Sequence, residues 1–308
     1  MHFPFQIFRT VPAYDFVGYR KAGFALTLFG VAATLVSLAV NGLNFGIDFS
    51  GGVVMEVRTE QAADINKMRG LLETAQTKNA SLQSVGSDGR QVLIRLKPEG
   101  DANQNQVSQA VRSTLDAGYG APIEYLRMDY VGPQVGGELI RGSFLALTFA
   151  MIAMMFYLWF RFEWQYGLGG IVALLHDAVL VVGFYSVTGI EFNLTSVAAL
   201  LTVIGYSIND SVVIYDRVRE DLRKYKVKPV ADVINLACNE TLARTFLTGG
   251  TVLMALIGLV TLGGEVLFGF SAAMIFGVIV GTYSSIYVSS TILIYLNLRR
   301  SELASLKA

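Results

Sequence analysis

One acidic side chain stands within a long apolar stretch, where an ionised group is costly unless it has a use. Asp210 follows the apolar run from residue 194 to residue 208, in the segment LTSVAALLTVIGYSINDSVVIYDR. An ionisable group at membrane depth costs roughly 2.5 to 3.5 kcal/mol on insertion scales, so it normally faces a partner or a wet cavity. The position of Asp210 therefore predicts a role in handling ions.

Polar residues recur around Asp210 at helical spacing. Thr202, Tyr206 and Asp210 follow one another every four residues, and Asn209 lies beside them. Residues four apart share one face of a helix, so this helix is expected to have one polar face. Such a face needs a polar partner.

The next apolar stretch along the chain offers that partner. Arg244, Thr245 and Thr248 fall on one side of its predicted helix. Antiparallel neighbouring helices would bring Arg244 toward Asp210, which stands about six residues before its own helix ends, on the order of 9 Å in. The sequence equally allows Arg244 to be a flanking residue whose charged head extends toward water.

A third group of polar residues comes from an earlier apolar stretch, where His176 and Asp177 are adjacent. Burial raises the pKa of a carboxyl group and a nearby arginine lowers it, so a carboxyl group balanced between the two can exchange a proton near neutral pH. Packing roles for His176 and Asp177 remain open at this point. The predicted proton-coupling residues are Asp210, Arg244, Asp177 and His176, with Tyr206, Asn209, Thr245 and Thr248 as a supporting polar face. The proton is the expected coupling ion, and no metal or cofactor is predicted.

The elements that must position these residues are membrane helices. The chain of 308 residues is 53% hydrophobic and 16% charged, whereas soluble domains carry about 25% charged residues. Apolar stretches of about 18 to 25 residues are each long enough to cross the hydrocarbon core as a helix. Six such spans are predicted, at residues 22–40, 139–160, 168–188, 193–215, 244–262 and 268–297.

The distribution of lysine and arginine predicts the orientation of these spans. Basic residues lie in the N-terminal tail 1–21, at Arg161, in a connection at about 217–240 and in the tail 299–308. The short connections around Glu191 and Glu265 contain none. The positive-inside rule then places both termini in the cytoplasm and residues 42–138 outside. The chain has zero net charge, so no basic field indicates a nucleic-acid partner.

Residues 42–138 have the composition of an ordinary soluble domain. Strand patterns at 53–58, 81–86, 91–96 and 123–131 alternate with helical patterns at 64–75 and 104–117. The order β-α-β-β-α-β is the split βαβ arrangement of ferredoxin-like domains. The predicted fold is therefore an all-α bundle of six membrane helices with a small extracytoplasmic α+β domain. The glycine-rich segments FGIDFSGG and YVGPQVGG at its two ends are expected to form tight junctions.

The last apolar stretch carries small residues at intervals of four. Gly269, Gly277 and Gly281 belong to this ridge, which is the small-xxx-small pattern that lets membrane helices approach closely. The partner helix is either in this chain or in another subunit.

Several motifs together resemble one known family. They are FGIDFSGG at 45–52, YVGPQVG at 130–136, the HD pair at 176–177, GYSINDSVVIYDRVRE at 205–220 and ARTFLTGG at 243–250. With them the chain resembles the SecD/SecF family of bacterial protein export, within the resistance-nodulation-division (RND) superfamily. Within this resemblance, the family's intramembrane acid falls on Asp210 and its fifth-span arginine on Arg244. A mild departure is the pair Gly249 and Gly250, which stands where serine is frequent.

The resemblance also implies a function. It predicts an accessory subunit of the inner membrane that pairs with SecD and uses the proton-motive force to promote late steps of preprotein translocation through SecYEG. Membrane lipid is the remaining expected partner. One alternative is a stand-alone RND-type exporter of lipid or small molecules, although such carriers generally need two repeats in a chain. Another is an intramembrane aspartyl protease using Asp177 and Asp210, which is disfavoured because Arg244 would hold Asp210 ionised; no enzymatic activity is predicted.

Overall fold

The computed structural model describes residues 11–74, 80–85, 88–96, 104–296 and 298. Its elements in chain order are α1 (Arg20–Val40), α2 (Ile47–Ser50), β1 (Gly52–Thr59), α3 (Ile65–Thr74), β2 (Ser81–Val85), β3 (Gln91–Leu96), α4 (Gln104–Gly118), β4 (Ile123–Val131), α5 (Pro133–Arg161), α6 (Trp164–Thr188), α7 (Leu194–Lys224), α8 (Val230–Leu262), α9 (Gly264–Ser284), a π-helical segment (Ser285–Ser290) and α10 (Thr291–Tyr295). The chain divides into a helical unit and a smaller unit, with boundaries at residues 44/45, 144/145, 191/192 and 194/195.

The helical unit contains the predicted membrane spans. Within the described residues, six helices are long and apolar enough to cross a membrane, at Arg20–Val40, Val135–Arg161, Trp164–Thr188, Leu194–Lys224, Val230–Leu262 and Leu267–Tyr295. The predicted fold class, a bundle of six spans with a small α+β domain, is therefore confirmed. The predicted tail 299–308 and the first ten residues of the tail 1–21 lie outside the described residues.

The connection predicted at about 217–240 is a short loop flanked by helix. α7 continues to Lys224 and α8 begins at Val230, which leaves only residues 225–229 between them. The segment RVREDLRK consists mostly of strong helix formers, and packing reinforces it because Val218 and Val233 are both buried in one core cluster. Charge alone indicated a connection here, whereas helix propensity and burial extend both helices.

The last span is not a uniform α-helix. Residues 285–290 form a π-helical segment in which the Ser290 hydroxyl donates to the Ser285 carbonyl oxygen at 2.6 Å. The next residue, Thr291, donates through its hydroxyl to the carbonyl of Tyr287. Hydroxyl side chains compete with the backbone ladder in this way, and π-helical turns frequently mark functional sites.

The smaller unit is a two-layer α+β domain. Its four strands pair antiparallel in the order β2-β3-β1-β4, and in this register Val53 of β1 faces Leu96 of β3 and Tyr130 of β4. Alternate residues of a strand share a face, and one face of this sheet packs against α3 and α4. The residues of the resulting core are Val53, Met55, Val57, Met68, Leu72, Val92, Ile94, Leu96, Val111, Leu115 and Tyr119. The predicted ferredoxin-like order is confirmed. Residue 75 of the predicted first helix and residue 86 of the predicted second strand lie outside the described part.

The two glycine-rich segments of this domain pack against each other. Gly51 and Gly52 adopt positive φ angles of 67° and 131°, which glycine tolerates because it has no Cβ. A Cβ at Gly136 would lie 2.9 Å from the carbonyl oxygen of Phe49. Close backbone approach therefore requires glycine at both ends of the domain.

The small-residue ridge of the last span packs within the chain. A Cβ at Gly277 would overlap the side chain of Val203 on α7, and one at Gly281 would lie 3.1 Å from Ser207 Cβ. At Gly269 the nearest neighbour is Ile190, at 3.1 Å. Of the two partners left open by the sequence, the structure places α7 of the same chain against Gly277 and Gly281.

This contact predicts the effect of an added methyl group. Gly277→Ala should lower the free energy of unfolding by about 1 to 3 kcal/mol, because overpacking moves α9 away from Val203. Gly205→Ala is the matched control: it lies in α7 with nothing within 4 Å of the added Cβ, so it should be neutral or slightly stabilising. Unfolding measured in detergent by denaturant titration compares the two, and equal stability of both variants would contradict the contact.

Candidate functional site

Asp177 on α6 is the centre of a buried hydrogen-bonded cluster. Its side chain is 0% exposed. Oδ2 accepts from the Ser207 hydroxyl of α7 at 2.5 Å and from the Ser284 hydroxyl of α9 at 2.7 Å. Oδ1 lies 2.8 Å from Nδ1 of His176. One carboxyl group thus joins three helices, which fits the rule that buried charges are hydrogen-bonded or paired.

His176 has one partnered and one unpartnered ring nitrogen. When Asp177 is ionised it only accepts hydrogen bonds, and Nδ1 of His176 then carries the hydrogen between the two groups. Nε2 is buried without a hydrogen-bond partner. The imidazole ring lies beside Tyr283, with 6.2 Å between ring centroids. Nε2 is therefore a free acceptor for a proton, directly linked through the ring to the Asp177 carboxylate.

Asp210 lies three residues beyond Ser207 on α7, nearly one helical turn along. It is 2% exposed, and its Oδ2 is buried without a hydrogen-bond partner. An unpaired buried acceptor of this kind costs free energy comparable to a lost hydrogen bond. The local environment of Asp210 therefore satisfies its carboxyl group less well than that of the fully bonded Asp177.

Arg244 on α8 is the positive charge that acts on Asp210. Arg244 itself is exposed. The described contacts of the two residues include no ion pair within 4 Å. Arg244 thus interacts with Asp210 electrostatically, as predicted, but the two residues form no direct salt bridge.

The Tyr206 hydroxyl lies on the α8 side of α7. It is buried without a hydrogen bond of standard geometry, with Thr248 and Thr282 in its surroundings. A Cβ at Gly249 would be 3.2 Å from this hydroxyl. The Thr248 hydroxyl is already used within its own helix, where it donates to the Arg244 carbonyl oxygen at 3.0 Å. Gly249, where serine is frequent in the resembling family, therefore adjoins an unsatisfied tyrosine hydroxyl.

The remaining predicted residues divide between two environments. Thr245 is buried at 3% exposure. Asn209 is exposed, although the neighbouring Asp210 is buried. The structure thus brings Tyr206 near Asp210 and Thr248, buries Thr245 on α8, and places Asn209 on an exposed face of α7.

Two residues that bind Asp177 were missed by the sequence prediction. Ser207 and Ser284 are both 0% exposed, and each donates to Asp177. A local signal existed for Ser207, since it lies between Tyr206 and Asp210 and three residues before the acid. No local pattern specified which of the serines in α9 and the π-helical segment faces α6.

The arrangement contains groups that can bind protons. They are a buried Asp210 oxygen without a donor, a His176 ring nitrogen without a partner and the Asp177 carboxyl group that Ser207 and Ser284 contact, and such groups mark proton relays in membrane proteins. Within the described residues, no group of three His, Cys, Asp or Glu side chains is arranged to hold a metal ion.

Comparisons with known proteins place this geometry in context. Residues 111–299 match the family described as protein export membrane protein SecD/SecF, C-terminal, and residues 36–63 match the SecD/SecF GG motif. The chain is 43% identical over 291 residues to the protein translocase subunit SecF of Rickettsia felis, covering 94% of each chain. It is also 43% identical over 280 residues to SecF of Rickettsia prowazekii, covering 91% of this chain and 90% of that one.

Solved structures give the same relationship. The chain is similar to SecDF, a translocon-associated membrane protein from Thermus thermophilus, with a TM-score of 0.83, 36% identity and 94% of this chain covered. A second SecDF structure, in a super-membrane-facing form, gives a TM-score of 0.70, 35% identity and 98% coverage. The chain spans only 39% and 41% of those two proteins.

Proposed function

The chain belongs to the SecD/SecF family of protein export membrane proteins, and on this premise we propose that it is an accessory subunit of the bacterial Sec machinery that uses the proton-motive force. It acts with SecD to promote late steps of preprotein translocation through SecYEG. Proton passage through the bundle drives changes in the extracytoplasmic domain. The coupling ion is the proton, and no cofactor takes part.

One observation carries the proton-coupling part of this proposal. Asp210 Oδ2 is buried without a donor, and the nearby Arg244 acts on it electrostatically without forming a close ion pair. A fully paired carboxylate would be held in one state, whereas an acid between burial and a neighbouring positive charge can change its protonation. Asp177 and His176 of α6 provide the second half of the relay, since Asp177 accepts a hydrogen bond from Ser207, nearly one helical turn before Asp210 on α7.

The proposed partners follow from the part of the relatives that this chain does not cover. The solved SecDF chains are more than twice as long as the matching region, and we assign the missing region to SecD. The extracytoplasmic domain is the proposed contact for the preprotein and SecYEG. The long exposed apolar side chains of α5, among them Phe149 and Phe156, are available for membrane lipid or for helices of the partner.

No covalent chemistry belongs to this proposal. Asp177 Oδ2 is occupied by two serine hydroxyls and Oδ1 by His176, and Asp210 Oδ2 has no hydrogen bond. A protease dyad would share a proton between its two aspartates, and this arrangement offers no such pair. The family role is that of a translocase accessory subunit.

Translocation into inverted membrane vesicles tests the function. Vesicles from cells that lack this chain should translocate preprotein without the extra stimulation that a proton-motive force gives, and vesicles that contain it should lose that stimulation when an uncoupler is added. A stimulation that survives the uncoupler would contradict proton coupling. Purification of a stable lone oligomer with bound lipid, without SecD, would instead favour the stand-alone exporter.

We propose that the chain lies in the bacterial inner membrane with both termini in the cytoplasm. Cysteine labelling tests this orientation. Ser113 and Val227 are exposed, the former on α4 and the latter in the 225–229 loop. We expect a membrane-impermeant thiol reagent applied to spheroplasts to label Ser113→Cys and not Val227→Cys. The native Cys238 is 2% exposed and should not react with the thiol reagent in either variant. Labelling of Val227→Cys alone would reverse the topology.

A further inference from the structure

A second buried acid lies where α7 and α8 approach the 225–229 loop. Asp221 is 0% exposed, and both of its carboxylate oxygens lack a hydrogen-bond partner. Its closest positive group is Arg217, one turn earlier on α7, whose Nε is 3.6 Å from Asp221 Oδ2. That distance is too long for a hydrogen bond.

The guanidinium of Arg217 is engaged elsewhere. Its Nε donates to Glu240 Oε2 of α8, and its Nη1 lies 2.7 Å from Glu220 Oε2. Asp221 Oδ2 and Glu240 Oε2 lie against the same Nε of Arg217, an arrangement in which two carboxyl groups can share a hydrogen bond. Two carboxyl groups can form such a bond only when one of them is protonated, because an ionised carboxylate has no donor.

The charges around this pair identify which acid holds the proton. The groups that face Asp221 and Glu240 are Arg217, Glu220 and Lys224, all on α7. Lys224 and Glu220 lie on the solvent side, since the Glu220 side chain is 63% exposed and Lys224 is exposed. Glu240 receives the Arg217 hydrogen bond and is thereby stabilised as an anion. Asp221, buried and without a donor, is costly as an anion and is the acid that takes the proton.

We propose that Asp221 and Glu240 form a second proton-binding site at the loop end of α7 and α8, in which protonated Asp221 donates its O–H to ionised Glu240 and releases that proton to water as the pH rises. Release leaves three carboxylates around the Arg217 guanidinium and weakens the contact between the two helices. The pair lies on the helices that carry the candidate coupling residues, with Glu240 one turn before Arg244 and Asp221 eleven residues beyond Asp210. Its part in a proton path rests on the proposed function, whereas proton binding itself does not.

Infrared difference spectra of the purified full chain test this site between mildly acidic and mildly alkaline pH. The spectra are recorded in the Asp210→Asn background, so that Asp210 adds no signal and failure of the coupling proposal cannot alter the result. We expect one carbonyl band of a protonated buried carboxyl group, which disappears as the pH rises. Asp221→Asn should lack this band at every pH and still fold, because the amide N–H replaces the O–H donor to Glu240.

Two further variants make the result decisive. Glu220→Gln is the matched control, because its exposed carboxyl group also contacts Arg217, and it should retain the band. Glu240→Gln removes the anionic acceptor, so the Asp221 band should disappear at lower pH than in the parent. A band that is unchanged in Asp221→Asn, or a midpoint in Glu240→Gln that equals the parent value, would overturn the proposal. Should Asp221→Asn fail to fold, the Glu240→Gln midpoint still decides it.

Discussion

Asp210→Asn is expected to abolish the proton-dependent part of export while the protein remains folded and bound to SecD. Asparagine preserves the shape of the side chain and removes its capacity to titrate. Asp210 Oδ2 has no hydrogen-bond partner, so the substitution breaks no bond at that oxygen. Translocation in vesicles under an imposed proton-motive force should fall to the level of vesicles that lack the chain.

Two substitutions of the neighbouring Arg244 extend this test. Arg244→Met removes the charge that favours the ionised acid and should impair the same activity. Arg244→Lys retains the charge but loses the planar guanidinium. Because no close ion pair joins the two residues, we expect Arg244→Lys to retain more activity than Arg244→Met. Asn209→Ala, on the exposed face of the same helix, should have no effect.

The outcome for Asp210→Asn separates two roles. Full proton-dependent export by a folded Asp210→Asn protein would make Asp210 a structural residue and place the coupling site elsewhere. Loss of export together with loss of folding would show that the buried acid stabilises the bundle. Only loss of export with native stability and SecD binding supports coupling.

The small domain and the membrane spans could be predicted from local sequence patterns. Strand alternation specified β3 and β4 at the residues where the structure has them, because a half-buried strand repeats every two residues. Apolar length specified six spans. The extension of α7 and α8 toward residues 225–229 could not be predicted from charge, because the same charged residues are also good helix formers.

The partners within the bundle were harder to predict. Helical periodicity indicates which residues share a face, but it does not give the rotation of one helix against another. Ser207 and Ser284 meet Asp177 because close packing at Gly277 and Gly281 brings α9 against α7. Likewise, Asp221 is buried opposite Glu240 although both lie in a highly charged segment. Tertiary packing determines which charges lose contact with water.

Asp177→Ala is expected to destabilise the bundle more than any single serine replacement. It removes an acceptor that serves Ser207, Ser284 and His176, so that Ser207 and His176 Nδ1 lose their partner while Ser284 keeps the Gly281 carbonyl oxygen. Each buried donor left without a partner costs about 1 to 3 kcal/mol. Ser207→Ala or Ser284→Ala removes one donor and leaves the carboxylate with other partners, so each should cost about 1 kcal/mol. Denaturant unfolding in detergent provides the comparison.

Asp177→Asn distinguishes a structural role from a relay role at the same position. Its amide oxygen can still accept from the two serines, but its N–H group faces the protonated Nδ1 of His176, which forces the imidazole into its other tautomer. Nε2 then carries the hydrogen and no longer accepts a proton. A structural role predicts moderate destabilisation with proton-dependent export retained in the folded fraction. A relay through His176 predicts that export is lost even where folding is preserved, and retention of full coupling by folded Asp177→Asn would confine the relay to Asp210.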